Sequence, residues 1–324
     1  MIRLIEQILI NGGIEKNEAK AEAKLIICEL SGLSIEEILS GKKAENAAGG
    51  ESRILDMAMD LAKKRVDAKA PIQHILGFSY FMGDRFYVNK DVLIPRPETE
   101  LLVQSVVDIV QNNFKNCKET LSILDIGTGT GCIPCEVSKI LLNKGFYNVE
   151  IMGVDISTDA LRVAIKNMEA LGQQRRVIFR KSDIYFGLRP VDKFNIIVSN
   201  PPYIPISARE TLQDEVKNFD PDLALFTSDD MGVEFYERII TGAKKHLKAC
   251  DDKSFDILNC GNEACGAGLN ATENEKGYLL FELGFTNGIS QAPIVSKIAQ
   301  EHGFRLEFIR EDLAGIKRVI CFSA

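Results

Sequence analysis

The spacing of apolar positions changes twice along this chain. Up to about residue 70 they recur at helical intervals among Ala, Glu and Lys, as in Asn17 to Leu30 (NEAKAEAKLIICEL). Gly32 stops that stretch, and Ser34 offers a cap for the next, Ser34 to Ser40. A polar, Gly-rich loop over 41–52 follows, and helical periodicity returns from Glu51 to Lys69. This predicts a small helical bundle, and no catalytic constellation falls within it. Pro71 breaks the pattern. Gln73 to Leu93 is rich in aromatic and β-branched residues, with Gly83-Asp84 placed for a turn, which predicts a β-hairpin. Pro97, Glu98 and Glu100 then open a helix, since Pro and acidic residues suit a first turn.

From there short apolar runs alternate with helical stretches. Ser122 to Asp125, Val149 to Val154, Arg176 to Arg180 and Phe194 to Val198 read as strands, with a helix starting near Cys132. Such alternation predicts βαβ units and a parallel sheet. A polar segment runs to about Met231, a helix covers Gly232 to Leu247, and Ala249 to Lys276 reads as an irregular insertion. Gly277 to Leu283, a helix over Ala292 to Glu301, and strands at Phe304 to Ile309 and Lys317 to Phe322 complete the sheet. No internal repeat is evident.

Composition narrows the function classes. A chain of 324 residues holds two domains, one of them large enough for a full α/β core. A net charge of −7 argues against a broad basic footprint for nucleic acid. No apolar run approaches the roughly 20 residues of a membrane span. The stretch MIRLIEQILINGG carries Glu6 and no small-residue cleavage site, so a secretory leader is not expected. Eight cysteines without zinc-ligand spacing, beside three histidines, point to free thiols in a reducing compartment and to no metal. Cys132 and Cys135 form a C-x-x-C pair, but in what should be a buried helix; Cys250, Cys260 and Cys265 cluster loosely.

The chemistry concentrates after the strands. Asn200-Pro201-Pro202-Tyr203 follows the fourth run. Two prolines hold this corner stiff and extended. The Asn200 side chain, the carbonyl beside it and the Tyr203 ring form two acceptors, a donor and a flat face, which suits a planar group bearing an NH2. Gly127-Thr128-Gly129-Thr130-Gly131 joins the first strand to its helix, a turn that favours a carboxylate or phosphate at the helix amino end. That turn alone is shared by dinucleotide and nucleoside binders. Asp155, at the tip of the second strand and 155 − 131 = 24 residues past the last glycine, stands where an acid commonly holds ribose hydroxyls. Asp183 follows the third strand. All four features lie at strand carboxyl ends, where open α/β sheets bind ligands. Arg96, stiffened between Pro95 and Pro97, is a further candidate on the substrate side.

Taken together, the segments IPRPETE (94–100), DIGTGTG (125–131) and SNPPYI (199–204) make the chain resemble the release factor glutamine methyltransferases, a branch of the class I S-adenosylmethionine-dependent enzymes. The resemblance covers nearly the whole length, and IPRPETE is its most specific part. It implies an α/β, Rossmann-like methyltransferase domain over 95–324 with a mostly parallel seven-stranded sheet. A helical substrate-docking domain (1–72) and a hairpin linker (73–94) precede it. It implies S-adenosylmethionine as cofactor: Gly127 to Gly131 at its methionine part, Asp155 at ribose, Asp183 and Ile184 at adenine, and Asn200 beside the methyl. Ile184 departs from the family, where an aromatic often stands. Asn200, Pro201, Pro202, Tyr203 and Arg96 would hold the substrate, with Asn200, Pro201 and Tyr203 catalytic. The expected partner is the Gly-Gly-Gln loop of peptide chain release factors. A cytoplasmic monomer, with no direct nucleic acid and no membrane, is expected. The same Asn-Pro-Pro-Tyr corner occurs in enzymes that methylate the exocyclic amine of adenine, the alternative reading, which calls for a basic groove.

Overall fold

Helical spacing in the first part of the chain becomes five helices: α1 (Ile2–Asn11), α2 (Lys16–Ser31), α3 (Ile35–Leu39), α4 (Gly50–Ala68) and α5 (Ile72–Leu76). The computed structural model describes residues 1–42, 50–115, 117, 119–248, 276–286 and 289–324; the expected insertion, with Cys250, Cys260 and Cys265, lies outside them. Gly32 ends α2 in the left-handed conformation, and Ser34 with Glu37 forms a reciprocal capping box on α3. Ile5, Leu9, Ile26, Ile27 and Ala58 meet in the bundle core. An ion pair is buried with them: Arg65 Nε donates to the buried Glu22 at 2.9 Å, and Nη2 reaches Glu18 at 3.2 Å and Glu215 at 2.6 Å.

The expected hairpin is shorter than the sequence suggests. Residues Ile72–Leu76 coil into α5 behind Pro71, and Gly77 stops that helix at φ 76°. The strands are β1 (Phe78–Phe81) and β2 (Asp84–Tyr87), and the turn is Met82-Gly83, one residue earlier than expected. Met82 and Gly83 have φ of 50° and 86°, the pair of positive values that a type I′ two-residue turn needs, which leaves Asp84 to the strand.

Next come α6 (Thr99–Asn113), β3 (Leu121–Ile126), α7 (Cys132–Asn143), β4 (Val149–Asp155), α8 (Thr158–Ala170), β5 (Val177–Lys181) and β6 (Ile196–Ser199). The chain then runs through β7 (Ile204–Pro205), a 3-10 turn, α9 (Asp214–Phe219), α10 (Asp222–Leu225), β8 (Phe226–Thr227) and α11 (Glu234–Ala243). It closes with β9 (Tyr278–Glu282), the short strands β10 (Phe285–Thr286) and β11 (Ile289–Ser290), α12 (Ala292–Glu301), β12 (Arg305–Glu311) and β13 (Lys317–Ser323). Two compact units result. One is Met1–Phe78 with Gln213–Phe219, the other Ser79–Leu212 with Asp220–Ala324. The short return of 213–219 to the helical unit is a feature that periodicity could not assign.

The second unit is built on a seven-stranded sheet in the order β12-β13-β9-β6-β3-β4-β5. β3 pairs in parallel with both β4 and β6, and only β13 runs against its neighbours. This is the Rossmann-like class I methyltransferase fold. Strand alternation sorts the side chains into two layers. Ile123, Ile196, Val198 and Leu280 pack with residues of α6 and α7; Leu124, Ile197, Leu279 and Phe281 pack with residues of α11 and α12. The chain steps outward from β3 on one side and returns through β6 on the other, so a crevice opens at the carboxyl ends of β3 and β6.

Candidate active site

The crevice is a cavity of 360 Å³ formed wholly by the sheet unit, within the roughly 300–1,000 Å³ of small-molecule sites. Its lining includes Gly127 to Thr130, Asp155, Asp183, Ile184, Arg96 and Asn200 to Pro202. Four strand ends thus deliver the expected residues to one place.

The glycine turn owes its shape to contact as well as dihedral angle. Gly131 has φ 75°, and a Cβ there would lie 2.9 Å from Phe179 Cζ and 3.1 Å from Ala164 Cβ, so α7 approaches the sheet only without a side chain. Gly131 caps α7 and stands behind the lining rather than in it. Gly127, at φ 74°, lies under the Asn-Pro-Pro corner: a Cβ there would sit 3.9 Å from the Asn200 carbonyl oxygen. Ser199 Oγ donates to the Ile126 carbonyl at 2.7 Å and ties the ends of β6 and β3 together.

Asp155 accepts the Gly129 and Ser157 amides, each at 2.9 Å, one on each oxygen. Burial raises its carboxyl above the usual range, while those amides and that of Ile156 oppose the rise. Each oxygen keeps a lone pair for another donor. Asp183 holds Arg238 of α11 at 2.8 and 2.9 Å across the cavity wall. Ile184 has φ 50°, a strained value for a β-branched residue. The Ser182 hydroxyl clamps that turn by donating to the Ile184 carbonyl at 2.7 Å. Arg96 Nη2 pairs with the buried Asp220 carboxylate at 2.7 Å.

Asn200 Nδ2 donates to Thr99 Oγ1, the first residue of α6, at 3.2 Å. Tyr203 stands apart from its neighbours in the motif. It does not line the cavity; Gln291 Nε2 holds its carbonyl at 3.0 Å, and its ring occupies the space above Gly284, where a Cβ would come within 2.6 Å. Burial pushes its phenol well up. The flat face expected from sequence is turned into the core, where Gly284 leaves room for the ring and Gly232 for the Tyr203 backbone carbonyl.

Three participants escaped the sequence reading: Thr99, Arg238 and Glu282. Thr99 sits inside IPRPETE, where the neighbouring acids already account for the segment as a helix first turn. Glu282 is a lone charge in the apolar run YLLFEL, a signal that was available. Burial lifts its carboxyl to about 7, with the Thr99 hydroxyl, Arg318 and the Asn200 side chain acting against the rise and Glu98 adding to it. Asp125, on β3 beneath the glycine turn, is wholly buried and is likewise lifted to about 7 by burial, with Asp155 adding and the nearby Thr128 hydroxyl opposing. Among the described residues, neither Asp125 oxygen has a hydrogen-bond partner. Cys132 and Cys135 are buried free thiols, and burial raises both.

A family model described as a methyltransferase domain matches residues 117–244. A release factor glutamine methyltransferase from Fusobacterium nucleatum is 34% identical over 270 residues, covering 83% of this chain and 63% of that protein. The chain therefore spans less than two thirds of that relative. One of the same description from Bacteroides thetaiotaomicron is 35% identical over 251 residues, covering 77% of this chain and 82% of that protein. A methyltransferase crystal structure from Pyrococcus furiosus covers 83% of this chain and 98% of its own at 14% identity, with a TM-score of 0.45.

Proposed function

The chain belongs to the release factor glutamine methyltransferase family, and from that membership we propose its reaction. It transfers a methyl group from S-adenosylmethionine to the side-chain amide nitrogen of the glutamine in the Gly-Gly-Gln loop of peptide chain release factors, in the cytoplasm. The observation that carries this reading is the gathering of the glycine turn, Asp155, Asp183 and the Asn-Pro-Pro corner around one cavity.

The donor set fits the cofactor. The amino end of α7 suits the carboxylate of its methionine part. Asp155 has lone pairs left for two ribose hydroxyls. Ile156 and Ile184 supply apolar wall for adenine, and Asp183 an acceptor at its edge. S-adenosylmethionine, when bound, supplies a methyl group activated on a sulfonium.

The rest of the chemistry belongs to the protein. A glutamine amide nitrogen shares its lone pair with its carbonyl and is a poor nucleophile. As it attacks it loses that conjugation, gains positive character, and its N–H bonds become stronger donors. The Asn200 Oδ1 and the Pro201 carbonyl accept them; the new N–C bond forms as the methyl leaves its sulfonium, and the surplus amide proton passes to water after transfer. Bonds that strengthen in the transition state raise the rate, each by about 1.5–3 kcal/mol as bonds to a charged group. Holding nitrogen, methyl and sulfur in line contributes up to about 7–11 kcal/mol, so positioning outweighs base catalysis. No histidine lines the cavity, in keeping with that balance. Arg96 and Pro202 shape the substrate side. Tyr203 serves from behind, packing the corner in place.

Incubating the protein with methyl-labelled cofactor and a release factor, then sequencing the Gly-Gly-Gln peptide by mass spectrometry, tests the reading. One methyl on the glutamine side chain is expected. An unlabelled glutamine, or label on duplex DNA instead, overturns it.

A further inference from the structure

The Asn200 amide has two opposite ends, and the reaction proposed above needs its oxygen in the cavity. Nothing in the Asn-Pro-Pro corner chooses between them. The hydrogen bond from Nδ2 to Thr99 Oγ1 is one of two arrangements a hydroxyl allows. Thr99 has one proton and two lone pairs, so with the amide turned over it would donate to Asn200 Oδ1 just as well. The choice depends on where the Thr99 proton goes.

Glu282 answers that question. Its residue is 2% exposed, and its Oε2 has no hydrogen-bond partner among the described residues. Strand alternation brings it there. Tyr278 and Leu280 of β9 face the α6 layer, while Leu279 and Phe281 face the other side. Glu282 therefore ends the strand on the α6 side, where Thr99 begins its helix, and its carboxylate neighbours both the Thr99 and Asn200 side chains. The backbone there is fixed: the Tyr236 hydroxyl donates to the Glu282 carbonyl at 2.9 Å and accepts the Gly284 amide at 3.2 Å. Ionised, as it is above about pH 7, Glu282 can only accept and takes the Thr99 proton, which leaves Thr99 with lone pairs only. The Asn200 nitrogen must then turn inward.

We propose that Glu282, acting through the Thr99 hydroxyl, holds the Asn200 amide with its oxygen toward the substrate NH2. Both are positioning residues, and the inference rests on the glutamine methyl-transfer reading.

Steady-state kinetics on the full chain with a release factor test it. Thr99→Val keeps the shape and removes the hydroxyl; kcat is expected to fall about thirtyfold, the loss of one hydrogen bond to a developing charge. KM for cofactor and for release factor should stay unchanged, and Thr99→Ser should restore most of the turnover. Glu282→Leu should lower kcat similarly, and the double variant should lose no more than the larger single loss, because both act through one amide. Wild-type turnover with full kcat in Thr99→Val, or losses that multiply in the double variant, overturns the inference and leaves the reaction standing. If Glu282→Leu fails to fold, the Thr99 pair alone decides. No methyl transfer by the wild-type chain overturns both the reaction and the inference.

Discussion

The two units bury charge in opposite ways. In the helical unit Arg65 is fully buried but meets three carboxylates, those of Glu18, Glu22 and Glu215. Only its Nη1 lacks a partner. In the sheet unit Asp125 and Glu282 are as deeply buried, and among the described residues both Asp125 oxygens and one of Glu282 are left without partners. A buried charge that serves stability is paired, because an unpaired one costs several kcal/mol. The unsatisfied oxygens of Asp125 and Glu282 lie beside groups assigned to chemistry, the first beneath the glycine turn and the second next to Thr99 and Asn200, while Glu136 Oε1 on α7 is another among the described residues. The difference separates a unit made to hold together from one made to hold something else.

The largest effect should come from the crevice. Asn200→Ala is expected to lower kcat by about 10²–10³-fold, the scale of losing a donor or acceptor that acts on the transition state. Cofactor affinity by calorimetry should stay near the wild-type value. Asp155→Ala should do the reverse, weakening cofactor binding by about tenfold or more through the loss of hydrogen bonds to a charged group. If Asn200→Ala turned over normally, the sheet unit would lose its distinction.

In the helical unit the same size of change should appear as stability and leave chemistry alone. Arg65→Ala strands Glu22 in the core and should cost about 3–5 kcal/mol in denaturant unfolding. A cost below about 1 kcal/mol would show that the pairing does not matter there.

Glu282 supplies a sharper contrast through pH. Its carboxyl titrates at about 7 in the folded chain against an ordinary 4.5. Between those values the folded state keeps the proton and the unfolded state has released it. Stability from this group therefore falls as pH rises through the window. Glu282→Gln removes that slope. Its stability relative to wild type should rise between pH 4.5 and above 7, by on the order of 3 kcal/mol. A constant difference across that range would mean that Glu282 does not hold its proton.

The smallest effect belongs to an exposed cap. Ser34→Ala breaks the capping box on α3 and should cost about 1 kcal/mol, read as a lowered Tm with turnover unchanged.

Local pattern made much of this protein legible. Period and punctuation located α12 at Ala292–Glu301 and the strands of the sheet to within a residue or two, because burial of one face imposes a period on the chain. Glycines and an acid at strand ends, and an asparagine before two prolines, marked the crevice, because those residues act through backbone shape that the sequence itself sets. What the sequence left open depends on contacts between distant segments. It could not pair Arg65 with Glu215, turn the Tyr203 ring into the space above Gly284, or bring Glu282 beside Thr99 and Asn200. Those juxtapositions arise only when strands align and helices settle on them, and no spacing along the chain encodes which end of an amide a neighbour's proton will choose.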